Sequence, residues 1–319
     1  MWKYTVRRLL IALPVLFVIS VIDFLFVNLA PGDPLQAILP YGEAGASGQD
    51  LERLYSESGL RDSMPVRYVR WIGELAQGNF GESFRSGEPV TAIIGRALPN
   101  TLLLTVTAMV LGVIIGVPLG VVSALRERSP IDSALTLVSF VFTAIPGFFL
   151  ALIAVFFFAV RFNWFPATGM RSFDEPSSFP DLVHHLILPA AVLGILQVPA
   201  YVQHTRGAML EVLGEDYIRT ARAKGLVEAI VVRRHTLPNA LMPVLTIAGL
   251  RLPSLVGSSV LIEQVFAWPG LGQLSINSAL FRDYPVFMAT ALLYAAAVLL
   301  SSIITDLAYA LVNPRIRYA

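Results

Sequence analysis

Apolar stretches of about twenty residues recur along the whole chain and limit its possible folds more than any other feature. A helix needs roughly 20 apolar residues to cross the hydrocarbon core of a bilayer. Charged residues make up only 14% of the 319 residues, against about 25% in soluble domains. The pattern predicts an all-α membrane protein, one domain over 1–319, and excludes a soluble enzyme and a disordered chain. The six predicted transmembrane helices lie at about 9–29, 102–125, 134–160, 186–204, 240–266 and 286–311.

The basic residues between these stretches predict the orientation of the chain. Lys3, Arg7 and Arg8 precede the first stretch, whose length of about 21 residues exceeds the core of a secretory signal, so we expect a retained first span. With the N-terminus inside, thirteen basic residues lie in about 59 cytoplasmic positions and nine in about 116 outer positions. Because basic residues are held on the cytoplasmic side, both termini are expected there, with an external segment at 30–101 and a cytoplasmic loop at 205–239.

Composition excludes several classes of function. The 23 basic and 22 acidic residues almost balance, so the chain lacks the basic tract of a nucleic-acid binder. It contains no cysteine, and its four histidines show no metal-ligand spacing. We therefore expect neither a nucleic-acid partner nor a metal site.

Prolines inside the apolar stretches predict irregular helices. Each proline removes one backbone donor and bends or breaks its helix. A single proline is common in membrane helices, but seven together favour a bundle with irregular or moving segments. These residues are Pro14, Pro118, Pro146, Pro189, Pro199, Pro243 and Pro253.

The external segment begins with turn-forming residues at 31–34 and has a Gly/Ser-rich patch at 42–48. Its later part, from Pro65 to Leu75, has the apolar spacing of a helix that packs on protein or lies at the membrane interface. The segment shows no internal repeat and no second folded domain.

Residues 214–226 of the cytoplasmic loop have the pattern of a short helix. Glu215 and Asp216 begin it, and Arg222 and Lys224 lie near its end, before Gly225. This order of charges complements the helix dipole, and a glycine suits the C-terminal cap. The sequence therefore predicts a self-contained helix outside the membrane.

One face of this helix carries small and apolar side chains. Tyr217, Ala221 and Gly225 share it at intervals of four residues, and Ile218 adjoins them. A three-turn helix is marginal alone and needs packing against another surface. The pattern alone leaves two interpretations open, an ordinary basic loop and a helix that docks on a partner.

The loop resembles the cytoplasmic "EAA" signature of bacterial ABC-type importer permeases. The similarity lies in Ala221, Gly225 and the Leu237–Pro238 pair. Within that group, residues 216–226 are similar to the dipeptide/oligopeptide permease family, which includes nickel and glutathione importers, and specifically to its B-type membrane subunit. Further similar segments lie at 29–34, 78–83, 265–272 and 313–317.

This resemblance implies the type I ABC importer permease fold, with a cytoplasmic coupling helix, in a bacterial inner membrane. It implies three kinds of partner: a second homologous permease subunit, one or two ABC ATPase subunits and an extracytoplasmic solute-binding protein. The residues that it implies contact an ATPase subunit are Glu215, Asp216, Tyr217, Arg219, Ala221, Arg222, Lys224, Gly225 and Leu226.

Some residues depart from the general signature. Arg219 and Thr220 stand where Glu-Ala is usual, and His235 stands where an aliphatic residue is usual, although peptide-type members often share these substitutions. Neither lysine, Lys3 or Lys224, lies in a phosphate-binding GxxxxGK[ST] loop. We therefore expect no cofactor and no enzymatic activity in this chain, and ATP and Mg²⁺ in the partner subunits.

Polar residues within the spans are candidates for function, because a charge at mid-bilayer costs about 2.5–3.5 kcal/mol. Asp23, Gln197 and Arg251 are candidates for the translocation path, although interfacial placement, helix–helix hydrogen bonding and bonding to backbone carbonyls explain them as well. Glu263 and Trp268, at the outer end of the fifth span, are candidates for an outer gate or a dock for the binding protein. Interfacial anchoring explains the tryptophan equally well.

Two other classes of function stay open. An intramembrane enzyme would need a polar pair at one depth, whereas Asp23 and Asp306 are expected near opposite faces of the membrane. An ATP-independent channel or pore subunit would need no nucleotide-binding partner. The sequence favours half of an ATP-driven importer that moves short peptides or a related small solute by alternating access.

Overall fold

The computed structural model describes residues 2–29, 62–172 and 178–312. Almost all of this backbone is helical, and its single strand-like pairing is a bridge between Glu82 and Pro89. The predicted features at 31–34, 42–48 and 313–317 lie outside the described residues. The helices are α1 (Trp2–Leu29), α2 (Met64–Ala76), α3 (Val90–Leu125), α4 (Pro130–Ala144), α5 (Gly147–Ala154, continued by a π-helical segment, Val155–Arg161), α6 (Phe179–Ile195), α7 (Val198–Leu213), α8 (Asp216–Ala223), α9 (Glu228–Ile230, continued by a π-helical segment, Val231–Thr236), α10 (Leu237–Leu250), α11 (Leu252–Val265), α12 (Leu271–Leu280) and α13 (Tyr284–Val312).

Several helices are suited to crossing a membrane. In the described ranges three of them, α1, α3 and α13, are long and apolar enough, and the number rises to five if each of two bent pairs forms one span. Helices α4 and α5 meet at 98°, and α6 and α7 meet at 47°. The fifth predicted stretch, 240–266, is divided between α10 and α11, which meet at Arg251. The all-α membrane architecture expected from the sequence is thereby confirmed.

The helix breaks coincide with three of the seven prolines. Ile145, which precedes Pro146, has φ −79° and ψ 124°, because the proline ring disfavours helical geometry in the residue before it. Pro199 and Pro253 lie in the first turns of α7 and α11, where a missing N–H leaves no helical bond unmade. The other four, Pro14, Pro118, Pro189 and Pro243, lie inside helices.

The centre of the bundle is the close packing of α3 on α7. A Cβ atom at Gly116 would lie 2.6 Å from the Cβ of Tyr201, and one at Gly120 would lie 2.6 Å from the Cβ of Thr205. Small residues of this kind let two membrane helices approach backbone to backbone. Helices α3 and α7 are therefore in direct contact over more than one turn.

Helix α2 confirms the helix predicted between Pro65 and Leu75. It packs on α1, where the ring of Tyr68 lies 5.3 Å from that of Phe24 and the ring of Trp71 lies 5.9 Å from it. The Tyr68 hydroxyl is 2.7 Å from the Ser20 hydroxyl. Part of the segment predicted to be external thus packs on α1.

Candidate functional site

Helix α8 forms where the sequence predicts a short helix outside the membrane. Asp216 lies in its first turn and Arg222 in its last, as the dipole favours. Gly225 follows with φ +78°, a backbone conformation that favours glycine. The N–H of Gly225 donates to the Arg222 carbonyl and that of Leu226 to the Ala221 carbonyl, at 2.9 and 3.4 Å. These two bonds make a Schellman cap, which explains the glycine.

Two sides of α8 face different surroundings. Ile218 and Ala221 are buried against Val231, with Val212 packed beside them. Tyr217, by contrast, is exposed. Ala221 therefore holds α8 against its own chain in this structure, while Tyr217 lies on a side that is open to a partner. The exposed members of the predicted coupling set are Glu215, Asp216, Tyr217, Arg219, Arg222, Lys224, Gly225 and Leu226.

An ion pair joins α8 to α9. The Arg222 guanidinium donates to both carboxylate oxygens of Glu228, at 2.7 and 3.0 Å. This pairing lowers the pKa of the Glu228 carboxyl and raises the pKa of Arg222. Arg219 makes a weaker pair with Asp216, at 3.2 Å. The sequence analysis did not identify Glu228, although its distance of six residues from Arg222 is compatible with such a pair.

A second polar cluster, the Asp132 cluster, ties α7 to the start of α4. The Arg206 guanidinium donates to both oxygens of the Asp132 carboxylate, at 2.7 and 2.8 Å. Ser123 on α3 donates to the same carboxylate at 2.5 Å, and the backbone N–H of Arg128 donates at 3.0 Å. Four hydrogen bonds thus hold one buried carboxylate. The Ser129–Pro130 pair could have marked the start of α4, but the sequence carries no signal for a partner 74 residues away.

The three helix breaks surround one cavity of about 440 Å³. Gln197 and Arg251, both predicted for the translocation path, line it together. Gln197 lies at the break between α6 and α7, and Arg251 at the break between α10 and α11. Aromatic and aliphatic residues form the wall near the break between α4 and α5. The structure therefore brings together two of the three predicted path residues.

The third predicted path residue lies elsewhere. Asp23 is on α1, is buried, and does not line this cavity. Its Oδ2 atom has no hydrogen-bond partner among the described residues. The described structure gives Asp23 no connection to the cavity.

Glu263 and Trp268 are both buried in the interior. The Glu263 carboxylate accepts hydrogen bonds from the Thr101 hydroxyl at 2.8 Å and from the backbone N–H groups of Gly272 and Gln273, at 2.6 and 3.2 Å. A carboxylate in this position caps the N-terminus of α12. The Trp268 indole donates to the Asn100 carbonyl at 2.9 Å. Neither side chain is presented on a docking surface, so their contribution here is to hold α12 against α3.

Family comparison identifies the arrangement. Residues 116–318, more than half of the chain, match the family described as binding-protein-dependent transport system inner membrane component. The chain belongs to this family. Residues 1–105 match the N-terminal region of the same kind of membrane component. The permease is therefore a multi-pass inner-membrane component of a transport system.

Relatives align with the permease over its whole length. It is 44% identical over 319 residues to the oligopeptide transport system permease protein AppB of Bacillus subtilis, with 100% of both chains covered. It is 38% identical over 336 residues to the di/tripeptide transport system permease protein DppB of Pseudomonas aeruginosa, with 100% of this chain and 99% of the relative covered. These relatives confirm the resemblance to the dipeptide/oligopeptide permeases.

Solved structures confirm the fold. A chain of the MetNI methionine ABC transporter in an inward-facing conformation matches with a TM-score of 0.60 at 23% identity, covering 71% of the permease and 99% of that chain. A chain of an amino acid ABC transporter with histidines matches with a TM-score of 0.53 at 18% identity, covering 71% and 95%. The permease thus has the predicted type I ABC importer permease fold and is a membrane-spanning subunit of an ABC importer.

Proposed function

We propose that the permease forms half of the translocation path for short peptides in an ATP-driven importer. Relatives named as oligopeptide and di/tripeptide permeases support the peptide as solute. The observation that carries the proposal is that one helix, α7, joins the polar cavity to the exposed helix α8. It begins beside Gln197 in the cavity wall and ends at Leu213, three residues before Asp216.

Helix α8 receives the movement of the ATPase subunits through its exposed side. Glu215, Tyr217 and Lys224 are available for that contact, while buried Ile218 and Ala221 attach the helix to the rest of the chain. The two bonds from Arg206 to Asp132 fix α7 to the start of α4. A push on α8 is therefore passed to α4 and α7 together.

The remaining parts of the importer follow from this role. The permease pairs with a second homologous permease subunit, and partner ATPase subunits bind ATP and Mg²⁺. Helix α8 and both termini lie in the cytoplasm, in accord with the greater density of basic residues there. A solute-binding protein delivers the peptide to the opposite face.

Reconstitution tests this proposal. Liposomes that contain the permease, its partner permease and the ATPase subunits, with the binding protein outside, should accumulate labelled tri-alanine only when ATP is supplied to the nucleotide-binding side. Uptake without ATP would favour the channel interpretation. Failure of the permease to copurify with any ATPase subunit in mild detergent would contradict the assigned role of α8.

Two glycines provide a matched test of α8. Gly225 and Gly78 each follow the end of a helix, have φ of +78° and +81°, and leave open space within 4 Å of where a Cβ atom would stand. A side chain at either position carries a similar backbone cost, about 1–2 kcal/mol. Gly225→Trp should lower ATP-driven uptake at least tenfold, because the indole adds bulk to the surface that contacts the ATPase subunit.

Gly78→Trp is the control, since it repeats the strain at the end of α2 in the external segment. Its uptake should stay within twofold of the unsubstituted protein, at equal amounts in the membrane. Equal losses in the two variants would show that backbone strain, rather than contact at α8, limits transport.

A further inference from the structure

The cavity where the helix breaks meet carries a single formal charge. Among the described residues that line it, Arg251 is the only charged side chain, and no lining residue is acidic. Its other polar groups belong to neutral side chains. These are Thr143, Gln197, Gln203, Ser254 and Ser258.

The Arg251 guanidinium has no partner to neutralise it in the described part of the chain. No hydrogen bond or ion pair joins this guanidinium to another described residue. Tyr201 and His204 lie near enough to feel its charge, but neither is acidic. A cation within a membrane bundle normally pairs with an anion or with backbone carbonyls. Among the described residues the cavity therefore has a positive charge and no acidic counter-ion.

The backbone places Arg251 beside a serine side chain. Arg251 is the N-cap residue of α11, whose first turn holds Ser254. The hydroxyl of Ser254 donates to the Arg251 carbonyl at 2.8 Å, which holds the serine side chain at the same break. The guanidinium and the Ser254 side chain therefore lie at the same break, and the guanidinium favours an anion there.

Other parts of the cavity lining suit an apolar group. Phe140, Phe148 and Leu196 line the cavity on the side of α4, α5 and the end of α6. The volume of about 440 Å³ falls within the roughly 300–1,000 Å³ of small-molecule sites. A ligand that carries both a carboxylate and apolar groups matches this lining.

We propose that Arg251 binds the terminal carboxylate of the transported solute, so that the permease itself selects peptides with a free C-terminus. Guanidinium and carboxylate form a planar, two-point hydrogen-bonded pair. Gln197, only 5% exposed and at the cavity wall, supplies a neutral amide for the peptide backbone. This inference rests on the proposed function, and it assigns to the cavity a selectivity separate from that of the binding protein.

The test measures binding to the purified complex of both permeases and the ATPase subunits, without the binding protein. The probes are labelled tri-alanine and tri-alanine C-terminal amide, which differ at the carboxylate. The unsubstituted complex should bind the acid at least tenfold more tightly than the amide. Arg251→Gln should reduce that ratio to less than twofold by weakening the acid alone, and Arg251→Lys should retain an intermediate preference.

Competition with phosphate and the remaining outcomes of the binding assay complete the test. Inorganic phosphate, added as competitor, should displace the acid poorly, and displacement at a concentration equal to that of the peptide would identify a general anion site and overturn the assignment. Equal binding of acid and amide by the unsubstituted complex, absence of binding of both, or an unchanged ratio in Arg251→Gln would also overturn it. Because uptake is measured separately, ATP-driven uptake with equal binding would reject this inference and leave the proposed function standing.

Discussion

Two arginines of the permease have opposite surroundings. Arg206, on α7, donates to both oxygens of a buried carboxylate that receives two further hydrogen bonds. Arg251 lies between α10 and α11 and borders the cavity, and its guanidinium has no hydrogen-bonded or ion-pair partner among the described residues. A satisfied buried pair stabilises one arrangement of helices, whereas an unsatisfied charge is open to pairing with a ligand.

This difference assigns separate roles to the two arginines: Arg206 stabilises the helix bundle, and Arg251 is available to bind solute. The Asp132 cluster joins α3, α4 and α7, so its loss should change stability. The cavity is bounded by helix breaks. Within the described ranges its one charged side chain, Arg251, makes no polar contact that a substitution would remove. Stability and binding measurements should therefore respond to the two arginines in opposite ways.

The largest expected effect on stability is at Arg206. Arg206→Ala leaves the Asp132 carboxylate, whose side chain is 7% exposed, without its charged partner, at a cost of about 3 kcal/mol in the free energy of unfolding. Arg251→Ala should change that free energy by no more than about 0.5 kcal/mol, because it breaks no ion pair or side-chain hydrogen bond within the described ranges. Unfolding in mixed detergent micelles measures both. An equal loss in the two variants would give Arg251 a structural partner and remove the contrast.

A double substitution tests whether the stability lost in Arg206→Ala comes from the unpaired carboxylate of Asp132. In Arg206→Ala the cost comes from an unpaired buried charge, so the additional change Asp132→Ala should recover part of the lost stability. The same unfolding titration, completed as a double-mutant cycle, measures the recovery. Strictly additive losses would mean that the two residues do not act as a pair.

A smaller effect is expected at the contact between α3 and α7. Gly116→Ala places a methyl group 2.6 Å from the Cβ of Tyr201, and overpacking of this kind costs about 1–3 kcal/mol. Gly95, on the same helix, has nothing within 4 Å of an added Cβ, so Gly95→Ala should be neutral or stabilising by up to about 1 kcal/mol. Thermal unfolding of the two variants compares them. Similar midpoints would show that α3 and α7 can separate without cost.

The smallest effect is expected at the exposed pair of Arg222 and Glu228, whose side chains are 42% and 55% exposed. Solvent screening limits the pair to about 0.5 kcal/mol. Since pairing lowers the pKa of Glu228 below its usual 4.5, the stabilisation is present above that value and is lost as the pH falls through the lower folded-state pKa. Glu228→Gln should therefore be slightly less stable than the unsubstituted protein at neutral pH, and the difference should shrink as the solution is made acidic. A difference that persists undiminished in acid would exclude the ion pair as its source.

Local signals in the sequence were sufficient to predict helix α8. Charges and a glycine within a dozen residues determine where it begins and ends, and the Gly225 cap agrees with that expectation. The prolines likewise indicated irregular spans, but not which of the seven would break a helix. Pro146 and Pro118 look alike in sequence, yet only the first lies between helices. Packing around each proline decides between a bend and a break.

Contacts between segments that lie far apart in the chain could not be predicted from the sequence. Asp132 and Arg206 are joined across 74 residues, and no local pattern distinguishes Arg206 from other basic residues of the loop. Glu263 was expected near the outer surface because of its place at the end of a span. Its burial depends on α12 folding back to present the N–H groups of Gly272 and Gln273. Such pairings can be identified only from the three-dimensional arrangement of the helices.

The close approach of Gly116 and Gly120 to α7 has a mechanical consequence. Helix α7 has 16 residues and is about 24 Å long. The two glycines meet it at Tyr201 and Thr205, between its ends, so a tilt of α7 would pivot about this contact. A tilt of about 10° about that point changes the relative position of the two ends by about 4 Å over this length. The permease would then work as a lever, in which a small displacement at α8 widens or narrows the passage beside Gln197.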